Sequence, residues 1–246
     1  TEILMKVENR NVLITGANRG IGRALVDAIL AAGAAKVYAG ARRIDSLPDF
    51  GDERVIPVQI DITNTDSVRA AAAAAADIDL LINNAGTAAF ASVIDAPLAV
   101  LAADMNVNYY GTLQVIRSFL PRLERRPDAA IVNVVTVAAF VNFPGLGGYS
   151  ASKAALFSAS QGLRIELAPR GISVHTVNPG PIDTDMAEDL DMDKSSPETV
   201  AANVIRGLEA GEADIFPDPA AEQMIGLWKG NYRDLEAAVY DMHHAA

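Results

Sequence analysis

The amino-acid sequence predicts a doubly wound α/β domain, a parallel sheet with helices on both faces. Three observations predict it. Short apolar runs recur along the chain and alternate with segments of helical character. The runs are continuous rather than alternating, as strands covered on both faces are. The first run ends in a glycine-rich turn that opens directly into a helix.

The first strand is residues 11–15 (NVLIT), and a helix over 21–32 follows, ending near Gly33. Residues 36–41 form the second strand and 55–60 the third. Residues 66–76 are an alanine-dominated helix, alanine being the best helix former. The fourth strand is 79–83 (DLLIN). Residues 98–105 and 108–125 read as two helices, the second apolar on one side. The fifth strand is 129–135, a helix spans 149–168 up to Pro169, and the sixth strand is 172–178 up to Pro179. Residues 183–196 are acidic and irregular. Pro197-Glu198 starts another helix well. A short strand near 213–216 and a helical segment carrying Trp228 and Tyr232 close the chain. No linker or repeat divides it, so residues 1–246 read as one domain. Within it, 183–196 would be a substrate lid and 197–246 a C-terminal extension on the substrate side. Met5 reads as a native start, with residues 1–4 an addition.

Half of the residues are hydrophobic and 21% are charged, which fits a chain with a sizeable core. The net charge of −11 lacks the basic face that nucleic acids require. No apolar run is long enough to span a bilayer, and the first ten residues lack a signal-peptide core. The absence of cysteine excludes disulfides and thiolate chemistry and fits a reducing compartment, hence a cytoplasmic protein. The three histidines do not suggest a metal site. His175 lies in an apolar strand, and His243 and His244 sit at the tail.

The turn Thr15-Gly16-Ala17-Asn18-Arg19-Gly20-Ile21-Gly22 carries the first chemical signal. Glycines at a strand-to-helix junction let the backbone approach a pyrophosphate, and the helix N-terminus supplies N–H groups and a positive dipole end. Further along come Asn83-Asn84-Ala85-Gly86 after the fourth strand, Tyr149-x-x-x-Lys153, and Asn178-Pro179-Gly180 after the sixth strand.

The spacing T-G-x-x-x-G-x-G, followed in order by N-N-A-G, Y-x-x-x-K and P-G, resembles the short-chain dehydrogenase/reductase family, classical type. The resemblance runs from about Val7 to Glu209 and implies a Rossmann-like fold and a nicotinamide-dependent oxidoreductase. It assigns Gly16, Asn18, Arg19, Gly20, Ile21 and Gly22 to the cofactor phosphates, Asp61 with Ile62 to the adenine, and Asn84, Ala85 and Gly86 to a floor beside the adenine ribose. Pro179, Gly180, Ile182 and Thr184 would hold the carboxamide and phosphates. Asn108, within Asn106-Val107-Asn108-Tyr109-Tyr110-Gly111, matches the family's helix asparagine, which holds a water against the lysine. Asn106 competes for that role, and helix capping is the bland alternative.

Tyr149 and Lys153 are four apart on one helix and share a face. A free tyrosine has a pKa of about 10, too high for acid–base exchange near neutrality. A neighbouring ammonium and the cofactor's positive ring would lower it, and the lysine would also bond the ribose. The bland alternative is an exposed surface pair. Thr136 stands thirteen residues before Tyr149, where the family usually has serine. Its hydroxyl can still bond a substrate carbonyl, while its methyl group stiffens χ1 and narrows the pocket. A strand threonine without catalytic duty is the alternative.

Cofactor choice turns on the end of the second strand. NAD-specific members place an acid there to accept from the ribose. Here Ala41 holds that place, Arg42 and Arg43 follow, and Arg19 lies in the turn, a cluster suited to a 2′-phosphate. The expectation is NADP rather than NAD, unless these arginines serve only solubility. Residues 138–143, Leu146, 186–192 and Trp228 are the pocket candidates. They are largely apolar, which points to a neutral, hydrophobic ketone, aldehyde or alcohol. The resemblance implies a homodimer or homotetramer, with Phe119, Leu156 and Phe157 as contact or core residues. Two rivals stand beside the reductase: an epimerase or dehydratase, for which the C-terminal region is short, and an NADPH-binding sensor or interaction protein that has lost the chemistry.

Overall fold

The computed structural model describes residues 6–188 and 191–244. The readings of residues 1–4 and of Asp189 and Leu190 in the lid lie outside them. The strands are β1 (Asn11–Thr15), β2 (Lys36–Ala41), β3 (Val55–Gln59), β4 (Leu80–Asn83), β5 (Ala129–Val134), β6 (Ile172–Val177) and β7 (Asp214–Ile215). They form one parallel sheet in the order β3-β2-β1-β4-β5-β6-β7. The helices are α1 (Gly20–Ala31), α2 (Thr65–Ala74), α3 (Leu98–Asp104), α4 (Thr112–Leu123), α5 (Gly147–Leu167), α6 (Pro197–Glu209), α7 (Pro219–Gly230) and α8 (Tyr232–His244). The fold is the Rossmann-like doubly wound sheet. The strand order reverses between β1 and β4, where such sheets hold their ligands.

Period-two alternation along buried strands builds two cores. Val12 and Ile14 of β1, Leu80 and Ile82 of β4, and Ala130 and Val132 of β5 face α1 and α6, meeting Leu25, Ile29, Val200 and Val204. Leu13, Leu81 and Ile131 point the other way, to Val115, Ile116, Phe119 and Leu123 of α4 and Leu167 of α5. Lateral registers are in step, with Leu81 beside Leu13 and Ile131.

Element ends differ from expectation by one or two residues, as fraying and capping allow. One difference matters more. The expected break between helices at 106–107 is absent. A π-helical stretch, Met105–Gly111, joins α3 to α4 without a turn. Asn106 and Asn108 look like helix interrupters in sequence, but the wider turn accommodates them, and such turns are common at functional sites. Among the described residues no helix is long and apolar enough to cross a membrane.

Candidate active site

The glycine-rich turn is held by polar bonds from the segment after β4. The Thr15 hydroxyl accepts from the N–H groups of Asn84 and Ala85, each at 3.0 Å, and the Asn84 amide donates to the carbonyls of Thr15 and Gly16, each at 3.0 Å. Gly16 is left-handed at φ +68°, which disfavours any side chain. A Cβ on Gly22 would lie 2.1 Å from the Gly16 carbonyl oxygen, so this packing requires glycine. Asn84 is thus a strut of the turn, its amide engaged by protein.

The N-terminus of α1 is open. The side chains of Asn64, Ser196 and Asp218 cap α2, α6 and α7, each of which also has an acid in its first turn. At α1 the capping position is Arg19, whose side chain makes no capping bond, and the first turn has no acid. Its N–H groups and dipole therefore face outward from a turn with no room for side chains, which suits a phosphate. Thr184, from the segment after β6, closes over Gly20, its methyl 3.1 Å from where a Cβ would stand.

At the end of β2, Ala41 is buried and Arg42 and Arg43 are exposed. Arg43 lies 3.7 Å from Asp45, and Arg19 pairs with Asp185 at 2.9 Å. The Asp61 carboxylate takes the Thr63 hydroxyl at 2.7 Å and the Thr63 N–H at 2.9 Å. These bonds, with smaller help from Arg42, hold it below the usual carboxylate range. Ile62 turns its side chain inward against Gly111 and its carbonyl accepts from the Gln114 amide at 3.0 Å, which leaves its N–H as the group suited to an adenine.

The chemical centre lies where β5 ends. Thr136 is buried; its hydroxyl donates to the Pro179 carbonyl at 3.1 Å and accepts from the Ala138 N–H at 3.3 Å. The half-buried Tyr149 hydroxyl faces that of Thr136. Lys153 is 4% exposed, donates to the Val134 carbonyl at 2.8 Å, and has its ammonium 5.8 Å from the centre of the Tyr149 ring. Gly148 sets the depth of Tyr149: a Cβ there would meet the Leu101 Cα at 2.8 Å, so α5 rests directly on α3.

In the cofactor-free protein, burial dominates the protonation of both members of the pair. Burial pushes Tyr149 up to about 12, with the Thr136 hydroxyl opposing and the negative charge of Asp104 adding to the rise. Burial also brings Lys153 down to about 8, against the pull of Asp104. Desolvation is the largest influence on both groups, and it keeps Tyr149 in the phenol form at neutral pH in the cofactor-free protein.

Asn108 is buried in the π-helical stretch. Its amide nitrogen donates to the Thr87 carbonyl at 2.8 Å and the Ser152 hydroxyl at 2.9 Å, and its oxygen accepts from the Thr87 N–H at 2.9 Å. A Cβ on Gly86 would lie 3.0 Å from that oxygen and 3.5 Å from the Lys153 ammonium. Glycine therefore keeps open a gap faced by both groups. Asn106 makes no such bonds among the described residues.

Three supporting residues escaped the sequence reading. Ser152 accepts from Asn108 and donates to the Tyr149 carbonyl at 2.7 Å. Asp218 takes the N–H of Gly180 at 2.9 Å and that of Ala221 at 2.9 Å, fixing the turn after β6. Asp104 is fully buried and takes the Ala89 N–H at 3.0 and 3.2 Å. For Ser152 the available signal was its place inside Y-x-x-x-K; the other two had none in sequence.

Other expectations are corrected or placed. Phe119 and Leu156 are buried in the chain's own core and offer no surface to a partner. Phe157 packs edge-on against Phe140, which also meets Trp228 and Phe216, forming an aromatic cluster just past Thr136 in which the three phenylalanines are half-buried and Trp228 is exposed. His175 is a core residue. Its Nδ1 donates to the Glu212 carbonyl at 2.7 Å, so Nε2 accepts from the Ser173 hydroxyl at 3.0 Å. The acidic segment is pinched at its base, where Asp183 N–H meets the Ser195 carbonyl at 2.9 Å.

Residues 10–195 match the short chain dehydrogenase family. Carbonyl reductase [NADPH] 2 of Sus scrofa is 32% identical over 192 residues, 77% of this chain and 78% of that protein. A short chain dehydrogenase from Burkholderia cenocepacia J2315, solved in complex with NADP, superposes with a TM-score of 0.91 at 39% identity, covering 96% of this chain and 99% of that one. One from Burkholderia phymatum, solved with NAD, has a TM-score of 0.82 at 24% identity, which speaks to the fold alone; the two chains are covered to 93% and 96%. The chain spans about two thirds of the length of the first curated relatives it matches, 66% and 64%. With its motifs in register and its site built at the strand ends, the chain belongs to the short-chain dehydrogenase family of oxidoreductases.

Proposed function

We propose that the protein is an NADP(H)-dependent oxidoreductase that interconverts a ketone or aldehyde with an alcohol. The observation that carries this reading is the meeting of the Tyr149 and Thr136 hydroxyls at the end of β5, with Lys153 and Asn108 flanking a gap kept open by Gly86. The cofactor fits the residues present. The open N-terminus of α1 and the turn around Gly16 and Gly22 would take the pyrophosphate, and Lys153 the nicotinamide ribose. Arg42, Arg43 and Arg19 would take a 2′-phosphate beside a β2 end that has alanine in place of an acid. The NADP named with the Burkholderia cenocepacia structure and with the pig reductase supports that choice.

When bound, the nicotinamide supplies or accepts the hydride at C4. Tyr149 hands its phenolic proton to the carbonyl oxygen as that oxygen gains charge. Thr136, anchored through Pro179, orients the same oxygen with its hydroxyl. Lys153 returns a proton to the tyrosine side through the gap it shares with Asn108. Tyrosine is protonated at neutral pH, which suits reduction. Oxidation needs the phenolate, so alcohol oxidation is expected to speed up as pH rises, while reduction slows once Tyr149 loses its proton.

The aromatic cluster of Phe140, Phe157, Phe216 and Trp228 supports a neutral, apolar substrate. The proposal extends to a homodimer or homotetramer. Tyr110, 59% exposed, and Ile165, 78% exposed, offer apolar surface on the helices that Phe119 and Leu156 do not. A monomer by light scattering would contradict that. Cytoplasmic location rests on the cysteine-free composition.

The test is a panel of aldehydes and ketones with NADPH deuterated at C4. Deuterium is expected at the carbinol carbon, with kcat/KM for NADPH roughly tenfold or more above NADH. Equal or better turnover with NADH would sink the cofactor choice. Tight NADPH binding with no turnover across the panel would favour a sensor.

A further inference from the structure

Three carboxylates are buried among the described residues: Asp79, Asp104 and Asp218. Asp79 pairs with Arg126 at 2.6 Å, and Asp218 caps α7. Asp104 makes no contact ion pair among the described residues. Its hydrogen-bond donor is the Ala89 N–H, at 3.0 Å to one oxygen and 3.2 Å to the other. Burying a carboxylate on so little support is costly, so its place calls for a reason.

Its surroundings supply one. Asp104 ends α3, one turn before Asn108, and both hold the same loop: Asn108 bonds Thr87 and Asp104 bonds Ala89. The two side chains thus grip alternate residues of the segment beyond Gly86. Asp104 also abuts the start of α5, one oxygen 3.1 Å from where a Gly148 Cβ would stand, beside Tyr149 in sequence.

We propose that Asp104 is a positioning residue. From α3 it clamps the loop after β4 to the site, and it is the counter-charge that keeps Lys153 protonated inside the fold. The second role rests on the reading of Tyr149 and Lys153 as the proton-handling pair. The titratable groups acting there are Tyr149 from α5 and Asp104 from α3. The end of β5 adds only the neutral Thr136 hydroxyl and Val134 carbonyl. A negative charge at this place favours the protonated form of both Lys153 and Tyr149, the state needed to donate a proton. Burial alone would strip the lysine sooner.

The experiment is a titration of Lys153 in the cofactor-free protein, followed by its 13Cε resonance. The chain has five lysines, Lys6, Lys36, Lys153, Lys194 and Lys229, and Lys153→Met assigns the signal. In the wild type the inflection is expected at about 8. Asp104→Asn keeps an oxygen for Ala89 but removes the charge, and should move the inflection down by about 1 unit, a tenfold loss of proton affinity. Asp104→Glu should restore it. An inflection unchanged in folded Asp104→Asn would overturn the proposal. In the wild type, which needs no variant, the Asp104 13Cγ resonance should shift at the pH where Lys153 titrates, and a flat response would overturn it equally. Because neither readout uses turnover, a failed reductase assay and a failed role for Asp104 remain distinguishable.

Discussion

At the residue scale, Lys153 carries a cost that its position imposes. Its pKa falls from 10.5 to about 8 on folding. Between those values the unfolded chain holds the extra proton, so stability rises as pH climbs from about 8 toward 10.5. Below pH 8 the burial penalty is present in full, about 3 kcal/mol. Lys153→Met should therefore raise stability at pH 7 by about 1–2 kcal/mol while abolishing turnover, a trade expected of functional residues and read by denaturant melts. Tyr149 works in the opposite sense. Its pKa is raised to about 12, so its contribution is present below pH 10 and lost above it. The role proposed for Thr136 rests on its hydroxyl. Thr136→Ser should retain kcat within a few-fold, and Thr136→Ala should lose about 10²–10³. Tyr149, Lys153 and Thr136 were legible in sequence because their spacing is itself the signal. Asp104, Ser152 and Asp218 were not, since a buried polar residue declares its role only through partners distant in sequence. The burial that raises the Tyr149 pKa in the cofactor-free protein was equally invisible in sequence.

At the element scale, the helix termini and close helix contacts position the chemistry. The open end of α1 could be anticipated from the turn glycines, and the strand-to-helix junction placed it correctly. The π-helical link was misread as a break, because Asn106 and Asn108 are poor helix formers and the tertiary bonds of Asn108 hold this stretch in a helix. Two glycine substitutions test these placements. Gly22→Ala would put a methyl 2.1 Å from the Gly16 carbonyl and should abolish NADPH binding, read by cofactor fluorescence. Gly148→Ala would drive Leu101 and α5 apart, moving Tyr149 by a fraction of an ångström. The expected loss is about tenfold or more in kcat, with cofactor affinity little changed.

At the scale of the whole molecule, the sheet separates stability from function. The two cores lie on its faces, and the site lies at the strand C-terminal ends. Phe119→Ala should cost about 3–5 kcal/mol in a denaturation experiment without altering cofactor preference. The continuous apolar strands made the sheet legible, and alternation within them decided which core each residue serves. That same buried face of α4 and α5 left core and contact roles both open for Phe119 and Leu156, since an apolar stripe looks alike whether it meets a sheet or a second chain, and their burial places them in the core. The central claim is that Tyr149 is the proton donor of an NADPH-dependent carbonyl reduction. Tyr149→Phe removes one oxygen atom from a site otherwise held by Gly148, Ser152 and Lys153. The most direct measurement is kcat of this variant on a ketone turned over by the wild type, taken with its NADPH affinity. The account predicts a fall of about 10²–10⁴ with NADPH affinity unchanged within a few-fold. Full activity in Tyr149→Phe, with the cofactor bound as before, would contradict it.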